Sequence, residues 1–451
     1  MQARRISGVV EPPPSFREFS RAAFLSLFAS GETVFENPPR CQGTEELSAF
    51  LSRFFNAVRR EGDSIIVKGA GGFSGPGLPL EIQAADHHDF LEGLAPLFFN
   101  RGVKMTGLKN GLTPRFREAL KLLDAAGFSL QLSEPEGAYE LEILKSSPDG
   151  AEIELEKGDE AVKTACLFAL VSAATGASRV VEALPSPSSA ESLIRAFGVN
   201  LTAHRKGDPA GENGEDEVEM DELERRIRRI QGRREKSGER PLRVIHVEQG
   251  GGLKACRVRL RGDALLAAPF MLSALLIRDS SLIVRDASAL ELNGLVTVFK
   301  RMGGEIDNKG GELAAKSSKL TGRRVSGELT ASLNDLFPFA AVAAAFAEGQ
   351  TVIRDGAYLR DGPVDLIDCT LKNLKAMGVK AGEIDDGLVI EGAKEYDGAE
   401  LDCFGEPSLC LALCAAAAKN RGGSVIKNAE AVDRLWPDFF FQFEKSMEKM
   451  E

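Results

Sequence analysis

The sequence predicts a mixed α/β (α+β) protein of two lobes, each built from three repeats of a helix/strand unit of about 70 residues, six in total. Three observations carry that expectation. First, an Ala/Leu/Phe-rich helix, a tight turn usually holding glycine, and a β-branched strand recur at 22–37, 88–106, 166–183, 269–286, 339–355 and 409–428. Second, the equivalent strand residues Val34, Met105, Val180, Ile283, Val352 and Val425 are spaced by 71, 75, 103, 69 and 73 residues. Third, the one long interval holds a charged insertion at about 204–243, closed by Gly250-Gly251-Gly252, which suits a flexible connection. The expected division is 18–258 for the first lobe and 1–17 plus 259–451 for the second.

Within the copies, a second helix follows the strand at 47–55, 116–127, 190–198, 292–303 and 366–378. Its apolar residues recur at i, i+3 and i+4, the signature of one buried face, and several of these runs end in glycine, a C-cap signal. The insertion begins acidic (Glu212 to Glu224) and turns basic (Arg225 to Arg234), and its eleven acids balance its eleven bases. That order suits a self-paired, solvated helix with i,i+4 Glu–Arg pairs; a nucleic-acid or partner-binding arm is the other reading. The glycine-rich run Lys68 to Gly77 lacks the Gly-Lys-Ser/Thr of a phosphate loop and reads as a turn between strands.

Composition narrows the function classes. Hydrophobic residues make up 43%, charged residues 27%, and mean hydropathy is −0.12, which is ordinary globular composition. A net charge of −11 argues against a general nucleic-acid or anionic-membrane surface and favours small molecules. The longest apolar runs, 337–347 and 409–418, fall short of the roughly 20 residues that span a bilayer. The N-terminus has basic residues but then Pro12-Pro13-Pro14 instead of an apolar stretch, so no secretory signal is expected. With seven cysteines and no Cys-x-x-Cys, the expected location is cytoplasmic, without a disulfide framework or zinc ribbon. Cys166, Cys410 and Cys414, in Ala-rich helices, read as core. Only His87, His88, His204 and His246 are present, too few for much histidine chemistry, and Asp86-His-His-Asp89 reads as a solvated helix start or a metal pair. No metal is expected.

Local motifs add a resemblance. Asp335-Leu-Phe-Pro-Phe and the apolar run to Ile353, then Tyr358-Leu-Arg360, Leu374-Lys-Ala-Met-Gly-Val379 and Asp386-Gly-Leu-Val-Ile-Glu-Gly392, lie in the second half. Val162-Lys-Thr-Ala-Cys166, Pro185-Ser-Pro-Ser-Ser-Ala-Glu191, Gly262-Asp263 and Arg434-Leu-Trp-Pro437 join them. In order and spacing these resemble the EPSP synthase family along nearly the whole chain. The resemblance implies the two-lobed enolpyruvyl transferase fold, with a cleft between the halves that closes as charges are neutralised. It also implies carboxyvinyl transfer from phosphoenolpyruvate to the 5-hydroxyl of shikimate 3-phosphate, with loss of phosphate and no cofactor. That activity belongs to aromatic amino-acid and chorismate biosynthesis, here by a monomer with no nucleic-acid or membrane partner.

By the same resemblance, Asp335 is the catalytic residue that takes a proton, and Arg21, Lys163, Arg360 and Arg434 bind the anionic substrates. The chain departs from the family pattern elsewhere. Phe16 replaces a lysine, Thr113 an arginine, and Asp159-Glu160-Ala161 the Ser-Ser-Gln that would bind the shikimate phosphate. Ala84 to His88 replaces a glycine-rich loop, and Leu336, Gly362, Leu366 and Ser408 also stand where the family has charged partners. Arg17, Arg115, Arg117 and Arg354 are cations available to compensate. Each matched residue has a plainer reading: Asp335 as a helix N-cap, Arg21 and Lys163 as surface charges, Arg360 paired with Asp361 or Asp365. Two functions therefore stand open, a transferase with a rearranged site and a non-catalytic binding or regulatory homologue that keeps the clamp.

Overall fold

The computed structural model describes residues 4–75, 77–83, 88–108, 112–134, 139–205, 242–248, 252–393 and 395–449. The chain forms two compact units, one of Phe16–Pro39 and Thr44–Leu260, the other of Met1–Ser15, Arg40–Gly43 and Arg261–Glu451. Both are mixed α/β, as expected.

In the first unit the repeat is a strand, a buried crossover helix, a parallel strand, an amphipathic helix and an antiparallel hairpin. Parallel neighbours require such a crossover, whereas hairpin strands need only a turn. Three four-stranded sheets result. Glu81–Gln83 lies parallel to Val103–Leu108, which pairs with the hairpin Leu130–Ser133 and Tyr139–Ile143. Glu152–Leu155 lies parallel to Ala177–Glu182, followed by the hairpin of Asn200–Arg205 and Arg243–Glu248. For the first copy, Glu32–Phe35 finds its parallel partner at the far end of the unit, in Arg257–Val258. The three copies thereby close on themselves.

The second unit repeats the scheme, with Arg4–Val10 supplying the parallel neighbour of Ser281–Val284. Its last copy is reduced. Glu400–Asp402 and Val425–Lys427 form a two-stranded sheet, and after helix Phe439–Lys445 the strand Met447–Lys449 joins the first sheet beside Arg4–Val10.

Helix chemistry follows position. Ala264–Leu276 and Phe337–Ala345 are buried almost all round and so have no amphipathic period. Helices Pro114–Ala125 and Leu366–Ala376 bury one stripe. The amphipathic helices end in Schellman turns: Phe128 N–H bonds Leu123 O at 3.0 Å and Val379 N–H bonds Leu374 O at 2.9 Å, with Gly127 and Gly378 at positive φ between them. The Lys68 to Gly77 run does lie between strands, Ser64–Lys68 and Glu81–Gln83. At Gly69 a Cβ would come within 2.0 Å of Ala29 O, so backbone approach, and not phosphate binding, accounts for that glycine.

Most of the charged insertion lies outside the described residues, but both of its ends are described. Arg205 and Arg243 are directly paired in the hairpin ladder, so the added length sits at a hairpin tip. Deleting 207–238 is therefore expected to change the unfolding free energy by less than about 1 kcal/mol, because loop length enters closure entropy only logarithmically. Urea unfolding of the shortened chain checks this; a larger loss would show the segment packs on the lobe.

Candidate functional site

Charged and hydroxyl side chains gather at the start of helix Glu160–Ala173. The helix is otherwise apolar, and Asp159 caps it by accepting from Ala161 N–H at 2.9 Å and Val162 N–H at 3.3 Å. Its first turns present Glu160, Lys163 and Thr164. Helix Phe16–Phe28 brings Arg21, the loop after strand Ala177–Glu182 brings Ser186 and Ser188, and helix Ser189–Ala196 brings Ser189 and Glu191.

Two linked networks form. In one, Arg21 donates from Nη2 to Glu160 Oε2 at 2.6 Å and from Nη1 to Ser189 Oγ at 3.0 Å. Glu160 Oε1 accepts from Thr164 Oγ1 at 3.0 Å and from Ser188 Oγ. In the other, Lys163 Nζ lies 3.1 Å from both Glu182 Oε1 and Glu191 Oε1 and donates to the Ser186 carbonyl. Arg243 closes this ring, reaching Glu182 Oε2 at 2.7 Å and gripping both Glu191 oxygens at 2.9 and 2.7 Å. At the edge, Arg115 Nε stands 3.5 Å from Asp159 Oδ2.

Arg21 is 9% exposed and Lys163 is fully buried, so neither is a surface charge. Burial alone would raise the Glu160 and Glu191 carboxyls, yet each is held down at about 2, Glu160 by Arg21 and Glu191 by Arg243 and Lys163. Asp159 goes the other way: burial raises it, against the opposing charge of Arg115. Arg21, Arg115, Lys163 and Arg243, with Arg195 at 3.9 Å from Glu191, thus face Asp159, Glu160, Glu182 and Glu191, and each of these carboxylates has a cationic partner within the protein itself.

In the second unit Arg360 ends the short 3-10 helix Ala357–Arg360 and makes four local hydrogen bonds with its guanidinium. It donates to Asp365 Oδ2 at 2.8 Å, Glu383 Oε2 at 3.1 Å, Ile384 O at 3.1 Å and Asp385 O at 3.2 Å. Asp365 is the partner that the sequence offered. Asp335 is half-buried in the 3-10 turn Asn334–Leu336, just before the apolar helix Phe337–Ala345. It is not the N-cap of that helix; Leu336 holds that position, with no side-chain cap. Arg434 is half-buried, and its carbonyl accepts from Gly43 N–H at 3.2 Å.

Of the compensating arginines, Arg17 is exposed and lowers the Glu160 carboxyl, and Arg117 lies 4.8 Å above the Tyr139 ring. Arg354 is 3.6 Å from Asp386. Cys166, Cys410 and Cys414 are buried, and burial pushes the Cys166 thiol up to about 12. His87 and the side chain of His88 fall outside the described residues. Among the described residues no group of three or more His, Cys, Asp or Glu is arranged to hold a metal ion, and no helix is long and apolar enough to cross a membrane.

Sequence reading singled out Arg21, Lys163 and Glu160 but missed Glu182, Ser188, Glu191 and Arg243 as their partners. The Ser/Pro run between Glu182 and Glu191 was the available signal: closely spaced hydroxyls flanked by acids in an otherwise apolar stretch.

The sequence model of the family described as "EPSP synthase (3-phosphoshikimate 1-carboxyvinyltransferase)" matches residues 1–221 and 210–443. A 3-phosphoshikimate 1-carboxyvinyltransferase from Thermoanaerobacter sp. is 33% identical over 205 residues, 43% of this chain and 48% of that protein. One from Thermosynechococcus vestitus is 34% identical over 206 residues, 44% and 47% of the two chains. These matches span about half the length of the curated relatives. Among solved structures, EPSP synthase from Acinetobacter baumannii has a TM-score of 0.71 at 20% identity, covering 100% of this chain and 98% of that one. An enolpyruvyl transferase from Streptomyces tendae follows at 0.68 and 15% identity, covering 99% and 97%. The fold is thus the two-lobed enolpyruvyl transferase fold, and with its family model matched across both halves, the chain belongs to the EPSP synthase family.

Proposed function

We propose that the chain is a 3-phosphoshikimate 1-carboxyvinyltransferase-type enzyme, moving the enolpyruvyl group of phosphoenolpyruvate to the 5-hydroxyl of shikimate 3-phosphate in chorismate and aromatic amino-acid biosynthesis. The family match over both halves carries this reading. In it, Asp335 accepts the hydroxyl proton as the new C–O bond forms, phosphate leaves, and Arg21, Lys163, Arg360 and Arg434 neutralise the anionic groups. The enzyme works without cofactor as a cytoplasmic monomer.

One observation favours the second reading, a binding or regulatory homologue without chemistry: Arg21, Lys163 and Arg360 are already paired with carboxylates of the chain itself. Release of inorganic phosphate from phosphoenolpyruvate plus shikimate 3-phosphate decides between them. The transferase reading expects release that requires both substrates and falls about 100-fold or more in Asp335→Asn, with an unchanged melt. Release that ignores Asp335→Asn would remove that residue from the chemistry, and no release by the purified chain would leave the binding reading.

A further inference from the structure

The shortened last copy of the second unit gathers three of the seven cysteines, all free thiols. Cys403 follows strand Glu400–Asp402, and Cys410 and Cys414 lie one turn apart on helix Pro407–Lys419. They are 0%, 0% and 6% exposed. The Cys403 sulfur lies 3.0 Å from Lys427 O and 2.9 Å from Asn428 O, and Cys410 Sγ stands 4.0 Å from Ala429 O. Consecutive carbonyls of one three-residue stretch thus hold both sulfurs, and Cys410 interacts with the thiols on either side of it, Cys403 and Cys414. A single buried cysteine is ordinary core packing, but two sulfurs brought against one carbonyl run and against each other are placed to react. The turn between them is the strained part. Phe404 has a φ of 53° and Gly405 of 72°, a region that disfavours a bulky aromatic, and Phe404 is 38% exposed. Asp402 Oδ1 accepts from Phe404 N–H and from Asn428 Nδ2, both at 2.7 Å, and Glu406 N–H closes the turn on Cys403 O at 2.8 Å. Contact with Cys410 and then burial raise the Cys403 thiol, so it stays protonated and unreactive while the turn is closed.

We propose that Cys403 and Cys410 are a redox pair, which a peroxide converts to a disulfide when the Phe404 turn opens. The Cys403 sulfur, giving up its proton, attacks one peroxide oxygen; the O–O bond breaks and one water leaves, with a sulfenic acid on Cys403. The Cys410 sulfur then displaces that hydroxyl as a second water, and the S–S bond forms. Each cysteine loses one electron and one proton, and one peroxide is reduced to two waters. The bridge takes the Cys403 thiol proton away from the Lys427 and Asn428 carbonyls and ties the turn to helix Pro407–Lys419. Opening needs only the few bonds of the turn, so the pair is oxidised through local opening, without unfolding of the unit.

The test exposes the full, prereduced chain to hydrogen peroxide in native buffer, then blocks the remaining thiols and maps peptides without reduction. A Cys403–Cys410 link is expected, with two fewer free thiols than the original seven, and dithiothreitol should restore them. Fully buried Cys166 is the internal control: the link should form at least about tenfold faster than the Cys166 thiol is lost, the mark of local opening. Cys403→Ser should form no link, whereas Cys414→Ser should keep it. Loss of Cys166 in step with the pair would overturn the proposal, because global unfolding would then be what exposes both. A map with no link, or with Cys410 joined to Cys414 instead, would overturn it equally. The map of the unaltered chain decides even where a serine variant fails to fold. None of these outcomes depends on enolpyruvyl transfer, so an inactive chain and an inert thiol pair give different results.

Discussion

Replacing Lys163 by methionine is expected to cost about 3–5 kcal/mol of unfolding free energy, the usual loss when one member of a buried charge network is removed. Methionine fills a similar volume, so packing contributes little to the effect. What remains is two buried carboxylates, Glu182 and Glu191, sharing Arg243, with Arg195 only at 3.9 Å from Glu191. Against a typical total of about 5–15 kcal/mol, that loss moves a urea midpoint far outside experimental scatter. Adding Glu182→Gln should recover a large part of it, because Arg243 still holds both oxygens of Glu191 and no carboxylate is left unpaired. A loss below about 1 kcal/mol for Lys163→Met, or no recovery in the double variant, would mean the ring is not the electrostatic unit described above.

Acid should unfold the protein through the same groups. Glu160 and Glu191 fall from an ordinary 4.5 to about 2 in the folded state. An acid whose folded value is depressed stabilises fully above its unfolded value, and that contribution disappears as pH falls through the folded value. The window is therefore pH 4.5 down to about 2. Both carboxylates lose their stabilising charge across it. Asp159 has the opposite sign, since burial raises it and its protonation relieves a cost. Urea midpoints at pH 7, 5 and 3 should be similar at the first two and clearly lower at the third. Glu160→Gln should be less stable at pH 7 and lose less below pH 5. Equal midpoints at pH 7 and pH 3 would contradict the assignment.

The repeat was legible because its signals are local. Helix, turn and β-branched strand return at a near-constant spacing, and the turn before the strand takes a positive φ at Gly31, Gly102, Gly176 and Gly349. The fourth copy is harder to see, since Asp279 takes the left-handed position there, as Asn56 does after the first amphipathic helix. Arg257–Val258, two residues long, carries no readable alternation, and only its register with Val34 and Phe35 reveals its place in the first sheet. The site was less legible for a related reason: its pairs are remote in sequence. Arg21 and Glu160 are 139 positions apart, and Arg243 lies 61 and 52 positions from Glu182 and Glu191. No spacing rule links such residues. Family motifs located Arg21, Lys163 and Arg360; only the fold shows that carboxylates already hold them.

Calorimetric titration of the unaltered chain with shikimate 3-phosphate tests the central claim, that carboxylates of the chain occupy the charge a phosphorylated substrate would supply. With Arg21 on Glu160, and Lys163 on Glu182 and Glu191, binding is expected to be weak, at about millimolar Kd or poorer, and tighter in Glu160→Ala. Micromolar binding by the unaltered chain, unchanged in Arg21→Ala and Arg360→Ala, would show that the substrate is held by other residues.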